Sequence, residues 1–214
     1  MIREGCVTTV AGEVLNEKSS VGHDEIRVEG EPLDPPSPLL IVMNKPAGYV
    51  CSTDERETTV YELLPERFAE RKPGLNTIGR LDKETTGMLL LTDDGQQLHR
   101  AIHPKSKLDK VYQAVLDRPL NGTEGGIFAS GEMLLDSDNK PLLPAFVEVL
   151  GEKEALVTIH EGRYHQVRRM FAAVGNHVNE LRRVKIGGWA MPEDLGEGEW
   201  RVVAEEERVL LFGK

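Results

Sequence analysis

Leu75-Asn76-Thr77-Ile78-Gly79-Arg80-Leu81-Asp82-Lys83-Glu84-Thr85-Thr86-Gly87-Met88-Leu89-Leu90-Leu91-Thr92 places a polar, glycine-bracketed loop between two apolar runs, Leu75–Ile78 and Met88–Leu91. A short apolar run bounded by turn signals reads as a buried strand, and Met88–Thr92 fits that pattern. The loop before it is therefore clamped to rigid structure rather than left to solvent. Glycine allows tight turns and close backbone approach, and loops carried on a scaffold are where reactive groups concentrate. Asp82 then has two readings, a turn cap or a carboxylate placed for chemistry.

Working outward, Leu39–Met43 is a continuous apolar run that passes into the loop Asn44-Lys45-Pro46-Ala47-Gly48. Thr59–Arg71 has helical spacing with a break at Pro65, and Asp93-Asp94 can cap a helix running through Leu98 and Ile102. Lys110–Leu116 alternates like a strand, and Asn121–Ser130 reads as helix. Phe146–Val149 and Ala155–Ile159 read as strands joined by a turn at Gly151-Glu152-Lys153. Arg163–Val174 is the clearest helix, Val178–Ile186 a strand, and Trp200–Val203 a strand before an acidic C-terminal helix. Strands mixed with intermittent helices, without regular βα alternation, predict an α+β fold on a mixed, largely antiparallel sheet. Upstream, Cys6–Val10 and Glu25–Val28 predict a small antiparallel pair. The segment Pro32-Leu33-Asp34-Pro35-Pro36-Ser37-Pro38 predicts a linker, because proline stiffens the chain and cannot donate to a ladder. The expected organisation is thus 1–33, a linker at 34–38, and one domain over 39–214.

A chain of 214 residues with 39% hydrophobic content can bury one substantial core. No apolar run approaches the ~20 residues that span a bilayer, and the start lacks the pattern of a secretory signal, so a cytoplasmic protein without membrane contact is expected. Cys6 and Cys51 are too few for a disulfide framework or a metal cluster. The spacing of Asp93, Asp94, His99 and His103 fits no common metal-ligand motif. No cofactor or metal is expected, and nothing demands more than a monomer.

The formal charge of −10 argues against indiscriminate coating of nucleic acid, which Lys and Arg drive by releasing counterions. Residues 160–186 run the other way: Arg163, Arg168, Arg169, Arg182, Arg183 and Lys185 face only Glu161 and Glu180. A basic strip on an acidic chain suits selective docking of a polyanion. Projecting Arg163–Val174 at helical period puts Val167, Met170, Phe171 and Val174 on a core face and His165, Arg168, Arg169 and Ala172 on the other. Neither Arg168 nor Arg169 has an acidic residue three or four positions away, so their partners come from elsewhere in the fold or from a ligand. Lys110 and Tyr112 project to one strand face, where a tyrosine is either core or a platform for an unpaired base.

Four segments together resemble the pseudouridine synthases of the branch that modifies ribosomal RNA. They are Asn44-Lys45-Pro46-Ala47-Gly48-Tyr49-Val50-Cys51-Ser52-Thr53; Gly79-Arg80-Leu81-Asp82 through Leu91-Thr92-Asp93-Asp94-Gly95; Lys110-Val111-Tyr112; and Glu161-Gly162-Arg163-Tyr164-His165-Gln166-Val167-Arg168-Arg169-Met170-Phe171-Ala172-Ala173-Val174-Gly175-Asn176-His177-Val178. The resemblance covers the chain from about Leu39 to its C-terminus. It implies cofactor-independent isomerisation of a specific uridine in ribosomal RNA, 16S small-subunit RNA first among the substrates. It implies that Asp82 acts at ribose C1′, that Tyr112 stacks on the base and takes part in proton abstraction, that Arg168 pairs with Asp82, and that Arg80 holds the flipped nucleotide. Further RNA contacts are expected from Lys45, Lys110, Arg163, His165, Gln166, Arg169, Arg182 and Arg183. The chemistry is consistent with these roles: an ionised carboxylate opposes positive charge developing at C1′, and a neighbouring guanidinium favours the charged form of a carboxylate.

The branch usually opens with an S4 RNA-binding module, and residues 1–33 resemble only its strand half; the helices that grip RNA are expected to be missing, by truncation or by loss. Residues 1–34 carry Arg3, Lys18 and Arg27 against eight acidic residues, so this segment is expected to contribute little phosphate binding. A rival reading from another class is a non-catalytic ribosomal-RNA-binding assembly factor on the same fold. A pure binder, however, has no use for a carboxylate among phosphate-binding groups.

Overall fold

The computed structural model describes residues 5–52, 56–68, 70–102 and 108–213. The chain divides between Ser37 and Pro38 into two compact units, inside the proline-rich segment read as a linker. In the first unit, β1 (Val7–Thr9), β2 (Ile26–Val28) and β3 (Glu31–Pro32) form an antiparallel sheet. The expected pair gains its third strand because Glu29 and Gly30 both take positive φ, 54° and 88°. Two such residues make the tight turn that matches strand twist in a hairpin.

The second unit is built on β4 (Leu40–Lys45), β5 (Asn76–Ile78), β6 (Thr85–Thr92), β7 (Lys110–Leu116), β8 (Phe146–Gly151), β9 (Glu154–Ile159), β10 (Val178–Ile186), β11 (Trp189–Ala190) and β12 (Trp200–Val202). Among the described residues these form one nine-stranded sheet, ordered β12-β4-β6-β10-β7-β9-β8, with β5 also paired to β6 and β11 to β10. Every pairing is antiparallel except β6 with β10. Helices α1 (Gly95–Ile102), α2 (Glu124–Ala129), α3 (Gln166–Ala173) and α4 (Glu205–Phe212) flank it. None is long and apolar enough to cross a membrane.

The apolar runs of β4 and β6 follow from burial on both faces. Ile41, Met43, Leu89 and Leu91 enter one core with Phe128 of α2 and Val167, Met170 and Phe171 of α3. Their neighbours Leu40, Val42, Met88 and Leu90 enter the other with Ala101 of α1 and Leu211 of α4. In β7 the pattern alternates, because Tyr112, Ala114 and Leu116 are buried while Gln113 and Val115 are only half-buried. The helix expected over Thr59–Arg71 is instead two 3₁₀ turns, Val60–Leu63 and Glu66–Phe68. Pro65 excludes helical backbone from the residue before it, and Leu64 is extended at φ −95°, ψ 156°.

Gly87 is the pinch point of the sheet, paired with Lys45 of β4 on one side and Arg183 of β10 on the other. Its φ is +97°, and a Cβ there would collide with the Arg183 carbonyl oxygen. Only glycine lets the parallel strand approach so closely. Gly87→Ala is therefore expected to cost about 2–4 kcal/mol through combined strain and overpacking. Urea denaturation measures it, and an unchanged midpoint would contradict the pinch.

Candidate active site

Asp82 sits in the loop between β5 and β6, and the backbone around it is pinned on several sides. Thr85 N–H donates to the Asp82 carbonyl at 3.0 Å and Gly48 N–H to the Lys83 carbonyl at 2.9 Å. Leu81 N–H donates to Cys51 Sγ at 3.4 Å. Lys45 closes the arrangement: its fully buried ammonium donates to the carbonyls of Pro46, Lys83 and Thr85 at 2.9, 3.1 and 2.9 Å. Burial pushes the Lys45 ammonium down from its usual range, opposed in part by Cys51, Glu84 and Asp82 in their ionised forms. The same burial raises the Cys51 thiol.

The Asp82 side chain is one-third exposed and faces His165, whose Nε2 lies 3.4 Å from Oδ1. Both line a cavity of about 830 Å³ together with Arg168, Arg182, Lys83, Glu84, Gln113, His177, Glu180 and Glu197. That volume is in the range of ligand sites, roughly 300–1,000 Å³. Its wall mixes cations with carboxylates, so it is a polar pocket rather than a basic funnel.

Several expectations are corrected here. Arg168 reaches the cavity, but its Nη1 donates to the Val178 carbonyl at 2.8 Å, and among the described residues it is the His165 imidazole that stands within ion-pair distance of Asp82. Lys45 and Arg183, expected to contact RNA, are 0% and 1% exposed. Arg183 Nε donates to the Met88 carbonyl at 2.7 Å and Nη1 to the Tyr112 hydroxyl at 3.3 Å, while Nη2 is buried without a partner among the described residues. Gln166 is buried as well: its Oε1 accepts from Arg163 N–H and its Nε2 donates to Glu161. Arg163 is committed to Asp138 and Glu161, and Arg169 to the other oxygen of Asp138. The basic strip of 160–186 is therefore not a continuous docking surface; half of its cations hold the fold.

Tyr112 is 8% exposed, packs in the core that contains Leu81 and Val167, and is not on the cavity wall; its neighbour Gln113 is. Arg183 lies directly across from it in the β7–β10 register, with its guanidinium 5.9 Å from the ring centre. Lys110 donates to the Leu108 carbonyl at 2.9 Å, and burial lowers its ammonium from the usual range. Arg80 is exposed on the loop two residues before Asp82. Asp138 is the partner that sequence reasoning missed. Its signal was indirect, namely Arg169 on the helix with no acidic neighbour at helical spacing.

Pseudouridine synthases are proteins that share this fold. The family described as RNA pseudouridylate synthase matches residues 39–173, and the chain belongs to that family. Among curated relatives, ribosomal small subunit pseudouridine synthase A of Escherichia coli (strain K12) is 43% identical over 204 residues, 93% of this chain and 86% of the relative. The protein of that name from Vibrio cholerae serotype O1 is 45% identical over 171 residues, 79% of this chain and 72% of the relative. A solved structure titled as a pseudouridylate synthase superimposes with a TM-score of 0.77 at 39% identity, covering 98% of this chain and 90% of that one.

The Asp138 clamp makes a pH-dependent prediction. Hydrogen bonds from Arg169, then Arg163, hold its carboxyl below the usual value of 3.8. A depressed folded pKa means stability that is present above the unfolded value and lost as pH falls through the folded one. The melting-temperature gap between wild type and Asp138→Asn should be full at neutral pH and close progressively below about pH 4. A gap independent of pH would remove the clamp.

Proposed function

We propose that this chain isomerises a uridine of small-subunit ribosomal RNA to pseudouridine, with Asp82 as the carboxylate acting at ribose C1′. The observation that carries the reading is the placement of Asp82: backbone pinned, side chain open to a nucleotide-sized cavity, His165 beside it and Arg168 on the same wall. Two of the relatives above, by name, act on the ribosomal small subunit. The reaction breaks C1′–N1, turns the uracil and joins C5 to C1′; C5 loses a proton and N1 gains one. Atoms and electrons balance within the nucleotide, so the work left to the protein is placement, charge stabilisation and exclusion of water while the base is loose.

In this reading Arg168, Arg182 and Lys83 meet phosphates or the flipped nucleotide at the cavity, and Arg80 meets the RNA from the exposed side of the loop. Tyr112 is taken to stack on the base and to take part in proton abstraction; in the structure its hydroxyl accepts from Arg183 Nη1 at 3.3 Å. We take the protein as a monomer, and ribosomal RNA as substrate supports a cytoplasmic location. The unit before Pro38 is taken as the strand half of an S4-like module, with a minor part in RNA affinity because acidic residues dominate it.

Release of tritium from C5-labelled uridine in a small-subunit RNA transcript tests the proposal. Asp82→Asn should release none while binding the transcript as wild type does. Arg168→Met should lower kcat by about 10²–10³-fold, the scale of losing one preorganised electrostatic contact. Asp82→Asn protein that still releases tritium would sink the assignment, and wild-type protein that binds without isomerising would favour a pure assembly factor.

A further inference from the structure

Tyr164 is not in the wall of the Asp82 cavity but stacks on a residue that is, His165, and it has no part in the roles described so far. The residue is 73% exposed, and its ring lies against that of His165 at 3.8 Å between centroids and 17° between planes. His165 in turn is fixed from two directions. It caps α3 with left-handed backbone, φ 48° and ψ 34°, a conformation disfavoured for any residue with a Cβ. Its Nε2 sits 3.4 Å from Asp82 Oδ1. Arg169 Nη1 donates to the Tyr164 carbonyl at 3.3 Å, and the same guanidinium is anchored on Asp138, so the platform is braced from behind. One ring face of Tyr164 is covered by the imidazole, and the residue is otherwise open to solvent.

We infer that Tyr164, backed by His165, is a stacking shelf for the unpaired base next to the target uridine. The inference rests on the proposed RNA substrate. Drawing a uridine out of its stack strips the neighbouring base of a partner, and an exposed aromatic face stacked on a cavity-lining residue replaces it. Stacking on a ring is indifferent to which base is offered, so the shelf adds affinity and register without specifying sequence. The strained cap serves both ends: the turn that brings the imidazole to Asp82 also lays it under Tyr164, tying the shelf to the carboxylate. Phe146 on β8 offers the contrast, an aromatic 58% exposed that meets His160 edge-on at 78°, and His160, unlike His165, is not among the residues lining the cavity.

Binding and turnover of a small-subunit RNA transcript by Tyr164→Ala, Tyr164→Phe and Phe146→Ala proteins test this. Tyr164→Ala should raise Kd and KM roughly five- to 150-fold, the range of one lost base stack, with kcat changed much less. Tyr164→Phe, which keeps the ring, should recover most of the loss, and Phe146→Ala should bind as wild type. A transcript bound equally by wild type and Tyr164→Ala would overturn the shelf, and so would a Tyr164→Phe protein as weak as Tyr164→Ala. Wild-type protein that binds without isomerising would instead overturn the catalytic reading, and the Kd comparison would still decide the shelf.

Discussion

A buried ammonium holds this active site together. Lys45 ends β4 with its charge out of reach of water, and three carbonyls, of Pro46, Lys83 and Thr85, accept hydrogen bonds from it. A buried charge without such partners is costly, whereas one fully hydrogen-bonded becomes a staple. Two of the three acceptors flank the loop that carries Asp82, so strand and carboxylate cannot shift independently. The lysine serves the chemistry without touching it.

The second constraint is the close parallel approach of β10 to β6. Gly87 permits it, and the approach delivers Arg183 into the core, where it bonds the Met88 carbonyl of one strand and the Tyr112 hydroxyl of another. Three strands and two residues of the resemblance motifs are thereby locked in one register. On the helix side, Asp138 gathers Arg163 and Arg169 and fixes the turn from which His165 reaches Asp82. The cavity lies between these two rigid supports, which is what a reaction with a transiently detached base requires.

Much of the fold was legible because burial writes itself into periodicity. Lys110–Leu116 and Val178–Ile186 are strands with the bounds the sequence predicts, since both are long and each has a buried face. The strands β3, β5 and β11, two or three residues each, are too short to carry a period. In the site, Asp82, Arg168 and His165, singled out in the sequence, do line one cavity, whereas Lys45, Arg163, Gln166 and Arg183, expected to contact RNA, are held by groups of the protein itself. Lys45 and Arg183 are satisfied largely by groups far along the chain, 38 and 40 residues away for Lys45 and 95 for Arg183. A sequence lists the charges but not the carbonyls that will meet them. The approach of His165 to Asp82 depends on one left-handed residue that propensity does not favour.

The central claim is that this chain makes pseudouridine in ribosomal RNA through a carboxylate placed by the fold. Pseudouridine mapping of small-subunit RNA from cells lacking the protein, complemented with wild type or Asp82→Asn, tests it most directly. The account predicts one pseudouridine lost, restored by wild type and not by Asp82→Asn. An unchanged map, or restoration by Asp82→Asn, would contradict it.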